Sequence, residues 1–550
     1  MAKRLSQRSA AAGPLKGPPP ADVDNSSPRR RWRSVVVYLL VFAAAAAFFA
    51  FFQFQTPDLV GFDGYYHIKY SYVLRTQGWR SNLPWLEFTI YKKFYRDHHL
   101  LFHLLLIPFT LGGTVEGLRV GAKLAATLFP TLMAVSFFAL LRAAGVPRAW
   151  LWTIALPGAG ATFLYRMLMP RPMAGALALL LLAGVLLIKG RHRALAVLTG
   201  VGVWYYDGYG MIVLLAFLFF VARWLVEGRL NWRPLVWCLG GAVSGILVNV
   251  YFPRNIASYA FNLYRSFSGL ETAKGGGTEW FQLKTWPLIA GAPGAMLGLL
   301  LVALAGRWCR RVRADTVAFI LMTAVAFLMV SRAQRYMEYY PAVALVAAAL
   351  TVRDLASGAA AADDQRRDRR RRRAALAIAI LMAATPLLTV FRLRGSVVAS
   401  KPYHTFRGAA DYIAENSNPG DLVFNVDYDD FTHLFFHNHK NHYLVGLDPI
   451  YLDRYDSRLF ELWRDIRGGK IFDIRDTIKK EFDPACRWVV VETRDNNVHP
   501  FTIASFKDVQ AGKMRRVFQE RIKVGEKDTD RVVFVYELVD RPRSRPPTAP

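Results

Sequence analysis

The chain has 550 residues, 53% of them hydrophobic, with a formal net charge of +29. A soluble basic protein that binds nucleic acid does not carry apolar runs of about 20 residues, the length of a bilayer crossing, one after another. Such runs recur here through residue 392, while Cys238, Cys309 and Cys486 lie too far apart for a disulfide framework or a zinc pattern. The chain therefore reads as a polytopic membrane protein with membrane lipids, not nucleic acid, as its surroundings.

Residues 1–33, rich in Pro, Ser and Arg and ending in RRRWR, read as a disordered cytoplasmic tail. Residues 34–393 form the transmembrane domain. Lys and Arg gather in cytoplasmic loops, so with RRRWR inside, the apolar runs alternate outward and inward. They cover 35–54, 119–141, 149–164, 172–188, 195–206, 210–225, 235–252, 287–305, 316–331, 336–352 and 374–391. That gives about eleven spans. Arg142 and Arg148, KGRHR (189–193), Arg229 and Arg233, RWCRRVR (307–313) and the arginine run 366–373 all fall inside. Residues 394–550 then lie outside the membrane. Their short β-like runs DLVFNV, HYLVGL, RWVVVE and RVVFVYEL alternate with helical patterns such as YDSRLFELWRDI, which predicts an extracytoplasmic α/β domain.

Ionisable residues collect in the loops this topology turns outward. The first loop holds Asp63 in FDGYYHIKY and Asp97 and His98 in RDHHLLFHLL, a stretch expected to lie along the membrane surface. Arg166 and Arg171 stand in YRMLMPRP, Asp207 in WYYDGYG, and Arg332, Arg335 and Glu338 in RAQRYMEYY. KGGGTEW (274–280) reads as a flexible glycine stretch and HNHKNH (437–442) as a solvated loop. Acids and histidines can hold a divalent metal, arginines grip phosphate oxygens, and a carboxylate can serve as a general base. The plainer alternatives are a helix cap for Asp207 and an ion pair between Glu338 and a neighbouring arginine. The i, i+3 spacing puts Arg332 and Arg335 on one side of a helix.

These stretches resemble the type-C (GT-C) membrane glycosyltransferases, and within them the oligosaccharyltransferase catalytic subunit. FDGYYHIKY resembles the acid-bearing segment that follows the first span in that family, and RDHHLLFHLL the surface helix of the same loop. WYYDGYG is similar to the turn between later spans, RAQRYMEYYPAVALVAA resembles a late span whose arginine meets lipid-linked phosphate, and NVDYDDFTHLF stands where the family has WWDYG. The resemblance implies catalytic acids at Asp63 and Asp97, and a divalent metal, manganese or magnesium, held by Asp63, Asp97 and His98. It implies substrate binding by Arg166, Arg171, Asp207, Arg332, Arg335, Glu338, Asp427 and Asp429. YRMLMPRP lacks the family's acidic pair and VDYDDF its tryptophans. The implied activity is transfer of a sugar or oligosaccharide from a polyprenyl-phosphate or -diphosphate donor to a glycan, lipid or protein acceptor. The implied place is the outer face of a bacterial inner membrane. A protein oligosaccharyltransferase and a non-enzymatic lipid-glycan flippase or assembly scaffold are the alternatives.

Overall fold

The structure, a computed structural model, describes residues 28–269, 274–306, 312–358, 365–494, 498–524 and 527–540. Most of the expected N-terminal tail and the basic stretch 307–311, with Cys309, lie outside the described residues, as do the side chains of the arginine run 366–373.

All eleven apolar runs are helical, but they are not eleven equal rods. Among the described residues, five helices are long and apolar enough to cross a membrane: Arg31–Gln53, Val115–Ala143, Asp207–Glu227, Ala314–Arg332 and Tyr340–Ser357. Two bent pairs, 161–168 with 173–188 and 285–291 with 293–304, raise the number to seven. The run 149–164 is cut by Pro157 into a helix Ala149–Ala155, a 3-10 turn and a helix Ala161–Leu168. His192–Tyr205 and Arg233–Leu247 have 14 and 15 residues. At about 1.5 Å per residue they reach only ~21–22 Å, short of the ~30 Å hydrocarbon layer. A count of eleven crossings therefore does not follow from helix length. One continuous core joins the helices, with the stretch from Tyr340 to Leu350 buried along its whole length.

The C-terminal region is the expected α/β domain. Its five strands, β1 (Leu422–Asn425), β2 (His442–Tyr443), β3 (Trp488–Arg494), β4 (Met514–Val524) and β5 (Lys527–Leu538), lie in the order β2-β1-β3-β5-β4. β1 runs parallel to β2 and β3, while β5 is antiparallel to β3 and β4. β4 was not expected, because MRRVFQERIKV carries five charges in eleven residues. It is an edge strand, where charged side chains discourage further pairing.

Alternation along β3 sends Trp488 and Val490 to one face and Val489 and Val491 to the other. The second face packs on the domain's own helices through Leu459, Phe460, Trp463, Ile474 and Phe501. The first face packs on residues of the first interhelical loop: Tyr66, Tyr70, Val73, Leu83, Trp85 and Tyr95. The loop and the domain thus share one hydrophobic core. HNHKNH belongs to that contact and is not a solvated loop. The His439 carbonyl accepts the Trp85 indole N–H at 2.7 Å, and His442 Nδ1 lies 3.0 Å from Glu87. Leu86 forms a parallel bridge to Tyr443 on the free edge of β2.

Candidate functional site

Three local devices place Asp63. Lys123, buried in the helix Val115–Ala143, donates to the carbonyls of Gln53, Thr56 and Asp58 and so fixes the turn that leaves the first helix. Gly61 has φ +74, a left-handed conformation that suits glycine. Gly64, in the first turn of the helix Asp63–Gln77, lies so close to Pro170 that a Cβ there would meet Pro170 Cγ at 2.4 Å. That close approach sets Asp63 beside Arg171, which follows Pro170.

The cluster built around Asp63 draws its charged groups from four chain segments and a tyrosine from a fifth. Arg171 Nη1 lies 3.2 Å from Asp63 and 3.3 Å from Glu279. Arg166 donates to Glu279 at 2.8 Å and to Glu338 through Nε at 2.8 Å. Arg335 lies 3.9 Å from Glu279, donates to the Tyr206 hydroxyl at 3.1 Å and stacks over the Trp280 ring at 4.0 Å. Three guanidinium groups thus balance three carboxylates. The balance is not closed on both sides: Arg171 Nε is buried with no hydrogen-bond partner among the described residues, and the Asp63 side chain remains 26% exposed. Burial raises the Asp63 carboxyl above the ordinary aspartate range, against the pull of Arg171. Burial acts the same way on Glu279, but Arg171, Arg335 and Arg166 outweigh it and hold that carboxyl well below the usual range.

Asp63, Arg166, Arg171, Arg335 and Glu338 are therefore brought together. Arg332 is not among them. The helix Ala314–Arg332 ends there, Ala333 is extended at φ −151 and ψ 131, and a 3-10 turn Gln334–Glu338 follows. The same-side spacing expected of Arg332 and Arg335 assumed one continuous helix; the break turns Arg335 into the cluster and leaves Arg332 exposed. Glu338 does pair with an arginine, but with Arg166, which is 172 residues away. Glu279, Tyr206 and Trp280 were not picked out from the sequence. Glu279 is the one acid in KGGGTEW.

Asp97 sits in a second, buried arrangement. Asp97 accepts from the His99 backbone N–H at 2.9 Å and contacts His103 Nδ1 at 2.7 Å, while His103 Nε2 meets His67 Nδ1 at 2.8 Å. His67, His99 and His103 offer ligand atoms that all lie within 4.8 Å of one another. Burial holds the His67 and His99 imidazoles well below their ordinary range. The expected metal set of Asp63, Asp97 and His98 is not what converges here. Asp97 is engaged by His103 and the His99 N–H, and His98 packs its ring on His99 at 3.9 Å, at the edge of a separate cavity. The two arrangements adjoin through Tyr206, whose ring stacks on His99 at 5.5 Å and whose hydroxyl receives Arg335.

Asp207 does not cap the following helix; it pairs with Arg96 and accepts from Asn262. Asp427 is held by Arg467 and His499, which lower its carboxyl against the effect of burial. Burial raises Asp429. Between them, Tyr428 faces the glycine loop: a Cβ at Gly277 would lie 3.8 Å from its hydroxyl.

No protein-family model and no curated protein sequence matches the chain. Solved structures do. ArnT from Cupriavidus metallidurans, bound to undecaprenyl phosphate, superposes with a TM-score of 0.54 at 15% identity, over 90% of this chain and 98% of that one. The fold is that of the type-C glycosyltransferases. The oligosaccharyltransferase of Archaeoglobus fulgidus superposes with a TM-score of 0.53 at 14% identity, over 83% of this chain and 69% of that one. The same archaeal enzyme has structures with an inhibitory peptide and a dolichol-phosphate, and with zinc and sulfate. The mycobacterial arabinofuranosyltransferase AftD superposes with a TM-score of 0.51 at 16% identity, over 92% of this chain and 41% of that one. At these identities the likeness carries the fold alone.

Proposed function

We propose that this GT-C-type chain transfers a sugar or oligosaccharide from a polyprenyl-phosphate or -diphosphate carrier to an acceptor nucleophile, with Asp63 at the reacting centre. The observation that carries this reading is the Asp63 cluster. A partly exposed carboxylate pairs with Arg171, which Glu279 links to Arg166 and Arg335, and Arg171 keeps a buried, unpartnered N–H. An orphaned donor is costly unless a ligand satisfies it, and a guanidinium fork matches phosphate oxygens. The neighbours with bound undecaprenyl phosphate and dolichol-phosphate make a lipid-linked phosphate the natural candidate.

In this reading Arg171 and Arg335 take the donor's phosphate, with Glu279 giving up part of its hold on them. Trp280 and Tyr206 keep the Arg335 guanidinium in place. Asp63 accepts the proton of the acceptor nucleophile. A proton affinity raised by burial brings a carboxylate nearer to the working pH of a general base. Two donor sets suit a divalent ion: the imidazoles of His67, His99 and His103 suit a zinc-class ion, and the carboxylates of Asp63 and Glu279 suit manganese or magnesium. Such an ion, when bound, neutralises charge on the phosphate leaving group. We place the cluster and the domain of residues 394–550 on the extracytoplasmic face. The cluster lies at one set of helix ends, and Arg142, Arg148 and residues 189–193 lie at the other.

The test is incubation of the purified full chain with radiolabelled polyprenyl-phosphate and polyprenyl-diphosphate sugars, with and without manganese, magnesium or zinc. Transfer that disappears in Asp63→Asn is expected. No transfer from any donor, or equal transfer by the variant, overturns the reading.

A further inference from the structure

A cavity of about 360 Å³ opens beside the site, between the first loop, the helix Asn255–Ser268 and the segment 451–454 of the C-terminal domain. Its size falls in the lower part of the ~300–1,000 Å³ range of small-molecule sites. Arg96, Arg254, Arg454 and His98 line it, and no lining residue is acidic. The positive charge is only partly balanced. Arg96 is paired with Asp207, but Arg254 and Arg454 have no carboxylate partner among the described residues. Both rest on aromatic rings instead, Arg254 over Phe94 at 5.1 Å and Arg454 over Phe261 at 3.9 Å. A guanidinium stacked on a ring is held in place while its N–H edge stays free to donate.

The cavity is also joined to the reacting centre. Tyr451, one of its walls, accepts from Arg265 at 2.9 Å, and Arg265 lies over the Trp280 ring at 5.2 Å. Trp280 is the ring on which Arg335 is stacked. Aromatic faces with fixed cations are the surroundings that a sugar ring bearing an acidic group requires: the ring's C–H faces meet aromatic carbon while the anionic oxygens meet guanidinium.

We propose that this cavity binds an anionic sugar unit, one carrying a carboxylate or a phosphate, of the glycan that the enzyme handles. The glycan context rests on the glycosyl-transfer reading above, whereas anion binding in the cavity does not depend on it.

The experiment measures binding to the full chain in a neutral detergent. The probes are trigalacturonate, its neutral methyl ester, and glucose 6-phosphate. The wild type binds at least one of the two anionic probes and binds the ester at least ~10-fold more weakly, and Arg254→Gln and Arg454→Gln each weaken the anionic probe by ~10-fold or more, the loss expected for a charge-assisted contact. Preference for trigalacturonate assigns a uronate; preference for the phosphate assigns a phosphorylated sugar. An ester that binds as tightly as the preferred anionic probe, no binding of either anion, or full binding by either variant overturns the proposal. Asp63→Asn retains probe binding, so loss of transfer in that variant and loss of binding in the cavity variants are separate results. Both arginines are exposed, so the Gln variants leave the core intact.

Discussion

Two buried arginine networks stand at the two ends of one helix, Tyr340–Gly358, and they are built to opposite rules. At its C-terminal end Arg353 has every N–H engaged. It donates to both oxygens of Asp315 at 2.7 and 2.9 Å, to Asp354 at 2.9 Å, to Thr316 at 2.9 Å and to the Ala144 carbonyl at 2.6 Å. Asp354 in turn accepts from the Arg313 backbone N–H and the Thr316 hydroxyl, and the Arg313 guanidinium lies 3.5 Å from Asp315, so two arginines face two aspartates. Nothing is left over, which is what a lock between helices requires. Around Glu338, just before the N-terminal end, the charges also match in number, yet Arg171 keeps an unused N–H and Asp63 an open side. Equal charge therefore does not tell the two networks apart; the state of the last donor does.

The largest expected effect breaks the open network. Asp63→Asn lowers transfer by about 10²–10⁴-fold, the contribution of a positioned general base, with little change in melting temperature. An unchanged rate would make the open network a second lock. Next is the closed network. Arg353→Met strands Asp315 and Asp354 in the core and costs about 3–5 kcal/mol of stability, seen as a lower melting temperature, while turnover per folded molecule stays at the wild-type value. Loss of turnover with full stability would reverse the assignment of the two ends. A finer distinction lies within the open network. Arg335→Lys loses the fork over Trp280 and the bond to Tyr206, and weakens donor binding by about 10-fold, whereas Arg332→Lys leaves it unchanged. Equal effects at the two positions would mean that the helix break at Ala333 is not what selects the functional arginine.

The smallest effect lies outside both networks. His437 contacts the Tyr403 carbonyl at 2.8 Å, and burial lowers its imidazole to about 4. On acidification the unfolded chain takes up this proton first, near the ordinary value of about 6.5. Stability is therefore lost as pH falls from about 6.5 towards 4, by at most ~1.4 kcal/mol per pH unit. His437→Gln flattens the fall in melting temperature over that window, and an unaltered slope would exclude His437 as its source.

The ends of apolar runs carried most of what the sequence could tell. Asp63, Arg166, Arg171, Arg335 and Glu338 each stand where hydrophobic periodicity stops, and the cost of charge at membrane depth marks such residues. Glu279 lay hidden in a glycine-rich stretch, where no periodicity says what the chain will face. Arg332 and Arg335 were indistinguishable because a helix break at Ala333 leaves no Pro or Gly in the sequence. The imidazole group was half visible: His67, His99 and His103 stand in one loop, but which of its four histidines converge depends on how the helix Asp63–Gln77 packs against Leu100–Leu106. The α/β domain was legible from alternation, and the strand Met514–Val524 was not, because an edge strand tolerates charges that mimic a loop.

The bridge from Leu86 to Tyr443 has a consequence for biogenesis. The segment that carries Asp63 leaves the ribosome some 350 residues before the strand it must pair with. Until Tyr443 and the strands behind it have been made and have folded, the aromatic side of that loop has no sheet to cover it. A chain cut short after the last apolar helix would retain its membrane-length helices, yet the loop that holds Asp63 would lack half of its core. The surroundings of Asp63 are completed from the far end of the polypeptide, so partial synthesis products carry the acid without the support that positions it.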